Sequence, residues 1–171
     1  LVAFVRELLK WNRSVNLTSI DDPAEVGELH VLDSLAIVGD VPKGSRVIDV
    51  GTGGGFPGVP LALVRPDLQV HLVDRTEKKV LFLRTTAARL GIENVHPRHL
   101  RLAGFPEREG LPAYDVAVSR AFAAPTSWLE LGRAYVRPGG RVIAMLGAER
   151  PDADEWRRAL GNDRLVADRV Y

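Results

Sequence analysis

Apolar residues recur along this chain with two different periods, and the switches between them mark out the elements. At the start, Val2, Val5, Leu8 and Leu9 fall on one helix face with Lys10 and Arg13 opposite. Residues 12–20 read as a loop. Asp21-Asp22-Pro23 then supplies an N-cap and a first-turn proline for a helix whose Val26, Leu29, Leu32, Leu35, Ala36 and Val38 keep helical spacing. A turn through Gly39 to Gly44 stops it. From Ser45 strands and helices alternate: strand Arg46 to Val50, helix Pro57 to Arg65, strand Gln69 to Asp74, helix Thr76 to Leu90, and a short strand near Asn94 to His96. A segment broken by Pro and Gly reaches Pro112. Beyond it come strand Tyr114 to Ser119, a helix opened by Pro125 and ended before Pro138-Gly139-Gly140, strand Arg141 to Leu146, helix Pro151 to Leu160 and a β-like run Leu165 to Tyr171. Such alternation builds an α/β fold, a mostly parallel sheet with helices on both faces. The expected organisation is one domain, with a helical cap over residues 1–44 and an α/β core over residues 45–171.

The junction after the first strand carries the most chemistry. Val47-Ile48-Asp49-Val50 is a short buried strand, and the glycines of Gly51-Thr52-Gly53-Gly54-Gly55 let the chain turn sharply with no Cβ in the way. Phe56-Pro57-Gly58 leads into the next helix. The second strand ends on Asp74, a carboxylate at a neighbouring strand end, where such an acid can accept both hydroxyl protons of a ribose. In the dinucleotide pattern G-x-G-x-x-G a third glycine lets helix and strand pack closely, but that position here is Phe56, which argues against NAD. No G-x-x-x-x-G-K-[ST] phosphate loop occurs either. What remains is G-x-G-x-G after a strand ending Asp-Val, the pattern of enzymes that use S-adenosylmethionine (SAM).

Composition narrows the chemistry further. Of 171 residues, 46% are hydrophobic and 26% charged, the profile of an ordinary globular domain, and the formal net charge is +1. The absence of cysteine removes disulfides, thiolate metal sites and a sulfur nucleophile together. His30, His71, His96 and His99 show no metal-ligand spacing, so no metal is expected. No apolar run approaches the roughly 20 residues of a membrane helix, and no secretory signal is visible, so the expected location is the cytoplasm. Charge is uneven: residues 75–101 hold seven Lys or Arg against two acids, which suits either a solvated helix face or a polyanion.

Four motifs stand in order: Asn12 with Asn16-Leu17-Thr18; His30-Val31-Leu32-Asp33-Ser34; the glycine loop with Phe56-Pro57-Gly58-Val59-Pro60-Leu61; and Ser119-Arg120-Ala121-Phe122-Ala123. Together they resemble the bacterial small-subunit rRNA guanine-N7 methyltransferases of the RsmG/GidB family, over nearly the whole stretch from Asn12 to Gly147. The resemblance implies a Rossmann-like class I SAM-dependent methyltransferase, with 16S rRNA or the small ribosomal subunit as partner. It also implies that Gly51, Phe56, Leu102, Ala103 and Arg120 contact SAM; with the glycine loop and strand end read above, the expected cofactor site is Gly51, Thr52, Gly53, Gly55, Phe56, Asp74, Leu102, Ala103 and Arg120. Leu102 and Ala103 fall at the adenine end and Arg120 by the methionine tail. Asn12, Asn16, His30 and Asp33 become candidates for substrate binding. Two positions depart from the family pattern. An acid usual after Arg101-Leu102 is replaced by Ala103, and a lysine usual before Gly147 is Leu146. The family's sheet closes with an antiparallel hairpin of which only the first strand fits before Tyr171, so the expectation is a chain truncated at both ends.

No acid/base constellation stands out, and no catalytic side chain is assigned. Guanine N7 has a lone pair and no hydrogen, so attack on an activated methyl needs alignment and no general base. Several candidates have a plain structural reading beside the functional one. His30 packs on a loop or meets substrate, Asn12 and Asn16 form Asx-type turns or meet a base edge, and Phe56 packs first and meets cofactor second. Trp11 and Trp128 read as core. Rival functions are a SAM-dependent enzyme with a small-molecule or protein acceptor, and a non-catalytic Rossmann-like RNA-binding module.

Overall fold

The computed structural model describes residues 1–120, 124–147 and 152–161. The cap begins with α1 (Val2–Asn12), whose Phe4, Val5 and Leu8 are buried. Asp22 caps the next helix by accepting from the amides of Ala24 and Glu25, with Pro23 in the first turn. The expected single helix here has a composite backbone. α2 (Pro23–Val26) runs into a π-helical segment (Gly27–Leu32) and then α3 (Asp33–Leu35), followed by a 3-10 turn at Val38–Asp40. Periodicity located the helical segment but not its buried face: Leu29 and Leu32 are exposed, and Val31, Ser34 and Ile37 are buried with Val26, because the wider turn shifts the face away from 3.6-residue spacing.

The core contains β1 (Arg46–Val50), α4 (Gly58–Val64), β2 (Gln69–Asp74), α5 (Glu77–Leu90), β3 (Val95–His99), β4 (Tyr114–Arg120), α6 (Pro125–Arg133), β5 (Val136–Met145) and α7 (Ala153–Leu160). The five strands pair in parallel in the order β3-β2-β1-β4-β5. Alternate strand residues bury on opposite faces. Val47, Val70, Leu72, Val116 and Val118 pack with Phe4, Leu8, Val59, Leu61, Phe82 and Leu83 of α1, α4 and α5. Ile48, Val50, Val73 and Ala117 pack instead with Trp128 of α6 and Tyr135. Trp128 is core, as expected, and Trp11 packs against Phe82.

Most elements stand within a residue or two of their expected positions, but the last described strand does not. Pro138-Gly139-Gly140, expected to be a turn ahead of a strand Arg141 to Leu146, lies within β5 as an irregularity of the ladder. Tyr114 pairs with Val136, and Val116 already pairs with Arg141. Gly139 takes φ +77, and Arg137 reaches back to the carboxylate of Asp115, which also accepts from the amide of Arg46. The expected run Leu165 to Tyr171, and Ala121, Phe122 and Ala123, lie outside the described residues.

One polar residue binds the far edge of the crossover together. The Asn94 amide nitrogen donates to the carbonyls of Ala62 (3.1 Å), Arg65 (3.3 Å) and Leu68 (3.2 Å), tying the end of α4 to the approach to β3. Replacing Asn94 with alanine strands these part-buried acceptors, so urea unfolding is expected to show a loss of about 1–3 kcal/mol. A loss below about 0.5 kcal/mol would mean that water takes over all three bonds.

Candidate functional site

In a sheet ordered β3-β2-β1-β4-β5, the chain leaves β1 toward one side and β4 toward the other, which opens a crevice at the carboxyl ends of those two strands. Ser119 fastens the two ends by donating its hydroxyl to the Val50 carbonyl at 2.9 Å. The glycine loop occupies this edge. Gly51, Gly53 and Gly55 all have positive φ (71, 56 and 95). The amides of Gly51 and Thr52 donate to the Val73 carbonyl, at 2.8 and 3.2 Å, so the turn hangs from the end of β2.

Two carboxylates govern the loop. Asp74 is almost fully buried, and its oxygens accept from the amides of Gly53 (3.0 Å) and Thr76 (2.8 Å). A carboxylate offers about four acceptor directions, so Asp74 keeps capacity for further donors beyond these two. Asp49 is fully buried one layer below, where one oxygen accepts from the Thr52 hydroxyl (2.6 Å) and the Gly58 amide (2.9 Å). Thr52 therefore turns its side chain inward and shapes the loop from beneath. Among the described residues the second oxygen of Asp49 has no hydrogen-bond partner. Burial pushes the Asp49 carboxyl up to about 6, against the lowering effects of Thr52, Gly58 and Arg120.

That shift carries a pH signature. A carboxyl whose folded pKa is raised holds its proton more tightly in the native state, so its contribution is fully present below the unfolded value of 3.8 and is lost as pH rises through about 6. At about 1.36 kcal/mol per unit the amount is on the order of 3 kcal/mol. His30 and His71 act in the opposite sense, since burial lowers both from 6.5. The difference between wild type and Asp49→Asn isolates the carboxyl. Urea denaturation at steps from pH 4 to 7 is expected to show that difference moving in favour of the variant as pH rises. A constant difference would contradict the assignment.

The cap closes over the loop through an aromatic and polar network. The Phe56 ring is buried against Phe4 (5.6 Å between centroids) and His30 (4.9 Å), with the Arg120 guanidinium 5.3 Å from its centroid. Nδ1 of His30 faces the Leu29 carbonyl at 3.1 Å and so carries the proton, leaving Nε2 to accept the Thr18 hydroxyl at 2.7 Å. Arg120 donates to the Leu29 carbonyl and to Asp33, each at 3.1 Å. It thereby bridges the end of β4 to the π-helical segment. Asn12 adopts the structural role: its carbonyl oxygen accepts from the amides of Leu17 and Thr18 and its amide donates to the Thr18 carbonyl. Asn16 is exposed on the same loop. Leu29 and Leu32, at 53% and 63% exposure, stand beside His30, Asp33 and Arg120.

Leu102 and Ala103 lie beyond β3, whose continuation is held at the edge by the Leu100 amide donating to the Asp74 carbonyl. The structure thus gathers Gly51, Gly53, Asp74 and Arg120 at the crevice, with Thr52, Gly55 and Phe56 as its inner frame. His30 and Asp33 reach it through Arg120. Sequence reasoning missed Ser119, Thr18 and Lys79 as parts of this edge. The Lys79 ammonium lies 4.0 Å from where a Cβ on Gly53 would stand. Ser119 and Thr18 sat inside quoted motifs, but Lys79 looked like any lysine of a solvated helix. Among the described residues no group of three or more His, Cys, Asp or Glu is placed to hold a metal, and no helix is long and apolar enough to cross a membrane.

Comparison with known proteins shows the fold and the family. Among solved structures, a SAM-dependent methyltransferase from Aquifex aeolicus superposes with TM-score 0.60 at 23% identity, covering 85% of this chain and 83% of that one. Another from Geobacter sulfurreducens, in complex with S-adenosyl-L-homocysteine, gives 0.55 at 21% identity over 67% of this chain and 46% of that one. These likenesses show the fold. The ribosomal RNA small subunit methyltransferase G of Myxococcus xanthus is 48% identical over 172 aligned residues, all of this chain and 79% of its own length. That of an Anaeromyxobacter species is 47% identical over 93% of this chain and 72% of its own. A family model described as rRNA small subunit methyltransferase G matches residues 1–161, and the chain belongs to that family, also named GidB.

Proposed function

We propose that this protein transfers the methyl group of SAM to N7 of one guanosine in the decoding-region loop of 16S rRNA. That it is a SAM-dependent rRNA methyltransferase follows from its family. The atom and position are a finer reading, supported by the chemistry of the crevice. The observation that carries it is the glycine loop suspended between Asp74 and Asp49 at the carboxyl ends of β1 and β4.

The residues present fit SAM on two counts. Gly53 lacks a Cβ, and one built there would make only ordinary contacts, 3.8 Å from the Gly51 carbonyl oxygen and 4.0 Å from the Lys79 ammonium, so the loop backbone is uncrowded by the protein itself. Asp74 offers spare acceptor capacity for ribose hydroxyls, and Asp49 holds an unpartnered anionic oxygen beneath a site for a cationic ligand. When bound, SAM supplies a methyl already activated on a positively charged sulfur. Gly51 and Gly53 would then give close backbone approach, Asp74 would orient the ribose, Leu102 and Ala103 would flank the adenine, and Arg120 would face the methionine tail.

For an N7 acceptor the protein has no proton to remove, so its work is alignment, an effect that reaches about 7–11 kcal/mol in favourable systems. His30, Asp33 and Asn16, with the exposed Leu29 and Leu32, form the face on which a splayed-out base is read. Residues 75–101, rich in Lys and Arg, contact phosphates, so affinity for RNA is expected to fall steeply with salt. The place of action is the cytoplasm, where the small subunit is made. Transfer of labelled methyl from SAM to unmodified 16S rRNA, naked and within the small subunit, tests the reading. Label in either RNA supports it. SAM binding with no label in either points to the rival small-molecule or protein acceptor.

A further inference from the structure

We propose that Glu109 is the residue that reads the 6-amino group of the cofactor's adenine, in place of the side chain that Ala103 lacks. The inference rests on the crevice reading above. Its basis is a clasp between distant parts of the chain. Glu109 accepts from the Ala103 amide at 2.7 Å through one oxygen and from the Tyr135 hydroxyl at 2.6 Å through the other. The Tyr135 hydroxyl in turn accepts from the Gly104 amide at 2.8 Å. Two consecutive amides of the loop after β3 are therefore committed to one carboxylate, directly and through a phenol.

The clasp is rigid. Tyr135 is fully buried in the cluster with Ile48, Val50 and Val73, and burial, with the Glu109 hydrogen bond, holds its hydroxyl well above the usual titration range, so it stays a donor. Glu109 sits in its own turn, its amide donating to the Phe105 carbonyl at 3.1 Å. The carboxylate is half-buried, and each oxygen uses one of its lone-pair directions on the clasp. Leu100 and Leu102 pack against the same buried cluster and give the loop an apolar side. Apolar surface beside one fixed polar group is how small-molecule sites set orientation.

The sign of that group decides what it selects. Adenine presents a donor, N6–H, where hypoxanthine presents an oxygen. With the Ala103 amide already occupied by Glu109, the carboxylate offers that edge an acceptor, which pairs with the amino group and repels the oxo group. Sites built to bond a ligand N–H discriminate strongly against analogues that lack it.

Calorimetric binding of S-adenosyl-L-homocysteine and its 6-oxo analogue, S-inosyl-L-homocysteine, tests the assignment on wild type, Glu109→Gln, Glu109→Ala and Gly53→Val. Wild type is expected to prefer the adenosyl compound by at least about tenfold. Glu109→Ala should lose most of the preference, and Glu109→Gln, whose amide donates to an oxo group, should narrow or invert it. A merely structural clasp would weaken both compounds alike and leave their ratio unchanged in each folded variant, which overturns the proposal. If Gly53→Val binds both as wild type does, the crevice reading itself fails, and the Glu109 assignment with it.

Discussion

Replacing Gly53 with valine is expected to weaken SAM binding by at least roughly 100-fold, or about 2.7 kcal/mol, while the protein stays folded. Gly53 has φ +56, where a β-branched residue is strained, so some stability is lost, on the order of 1–3 kcal/mol. A Cβ there stands at ordinary contact distance, 3.8 Å from the Gly51 carbonyl oxygen and 4.0 Å from the Lys79 ammonium, so it does not overpack the interior. On the proposed function, it stands between the loop backbone and the cofactor. Gly58 provides the contrast. A Cβ there stands 2.2 Å from Cδ2 of Leu72 and 2.8 Å from Oδ2 of Asp49, both buried, so Gly58→Ala overpacks the interior. Its main symptom is a lower unfolding midpoint. Equilibrium dialysis with SAM and urea denaturation, run on both variants, separate the two outcomes. A Gly53→Val protein that binds SAM normally contradicts the placement of the cofactor.

Arg120→Ala is expected to lower kcat/KM for methyl transfer by about 100-fold with only a modest change in stability. The guanidinium joins three things: the Leu29 carbonyl, the Asp33 carboxylate and the face of Phe56. Removing it detaches the π-helical segment, and with it His30 and the exposed Leu29 and Leu32, from the end of β4. Lysine has one compact ammonium in place of a planar fork, so Arg120→Lys should recover little of the loss. Steady-state kinetics with rRNA, and SAM affinity measured separately, show where the effect falls. Full activity in Arg120→Ala would mean that this bridge is incidental to the reaction.

What the sequence made legible was local. Strand, glycine loop, helix and Asp74 stand within about 30 residues, and each signal has a backbone cause: no Cβ at the turn, a proline at a helix start, a carboxylate at a strand end. Caps behave the same way, and Asp22 takes its expected role. The features that were missed are long-range or depend on irregular backbone. The clasp joins Ala103 to Glu109 and then to Tyr135, 26 residues further on, and nothing in the pattern around Glu109 distinguishes it from a surface acid. Thr18 and His30 meet across 12 residues. Pro138-Gly139-Gly140 gave a true signal of irregular backbone, but an irregularity inside a strand and a turn before one have the same composition. The π-helical turn at Gly27–Leu32 is invisible to a test for period 3.6, because its neighbours on either side keep that period.

On the proposed function, this crevice serves methyl transfer to one guanine N7 of the small-subunit rRNA. Chemical cleavage at 7-methylguanosine, mapped along unmodified 16S rRNA after reaction with the protein and SAM, tests it most directly. One new cleavage site is expected, in the decoding-region loop, absent when SAM is omitted and lost with Gly53→Val. Methyl groups at another atom, or scattered over many guanosines, would contradict it.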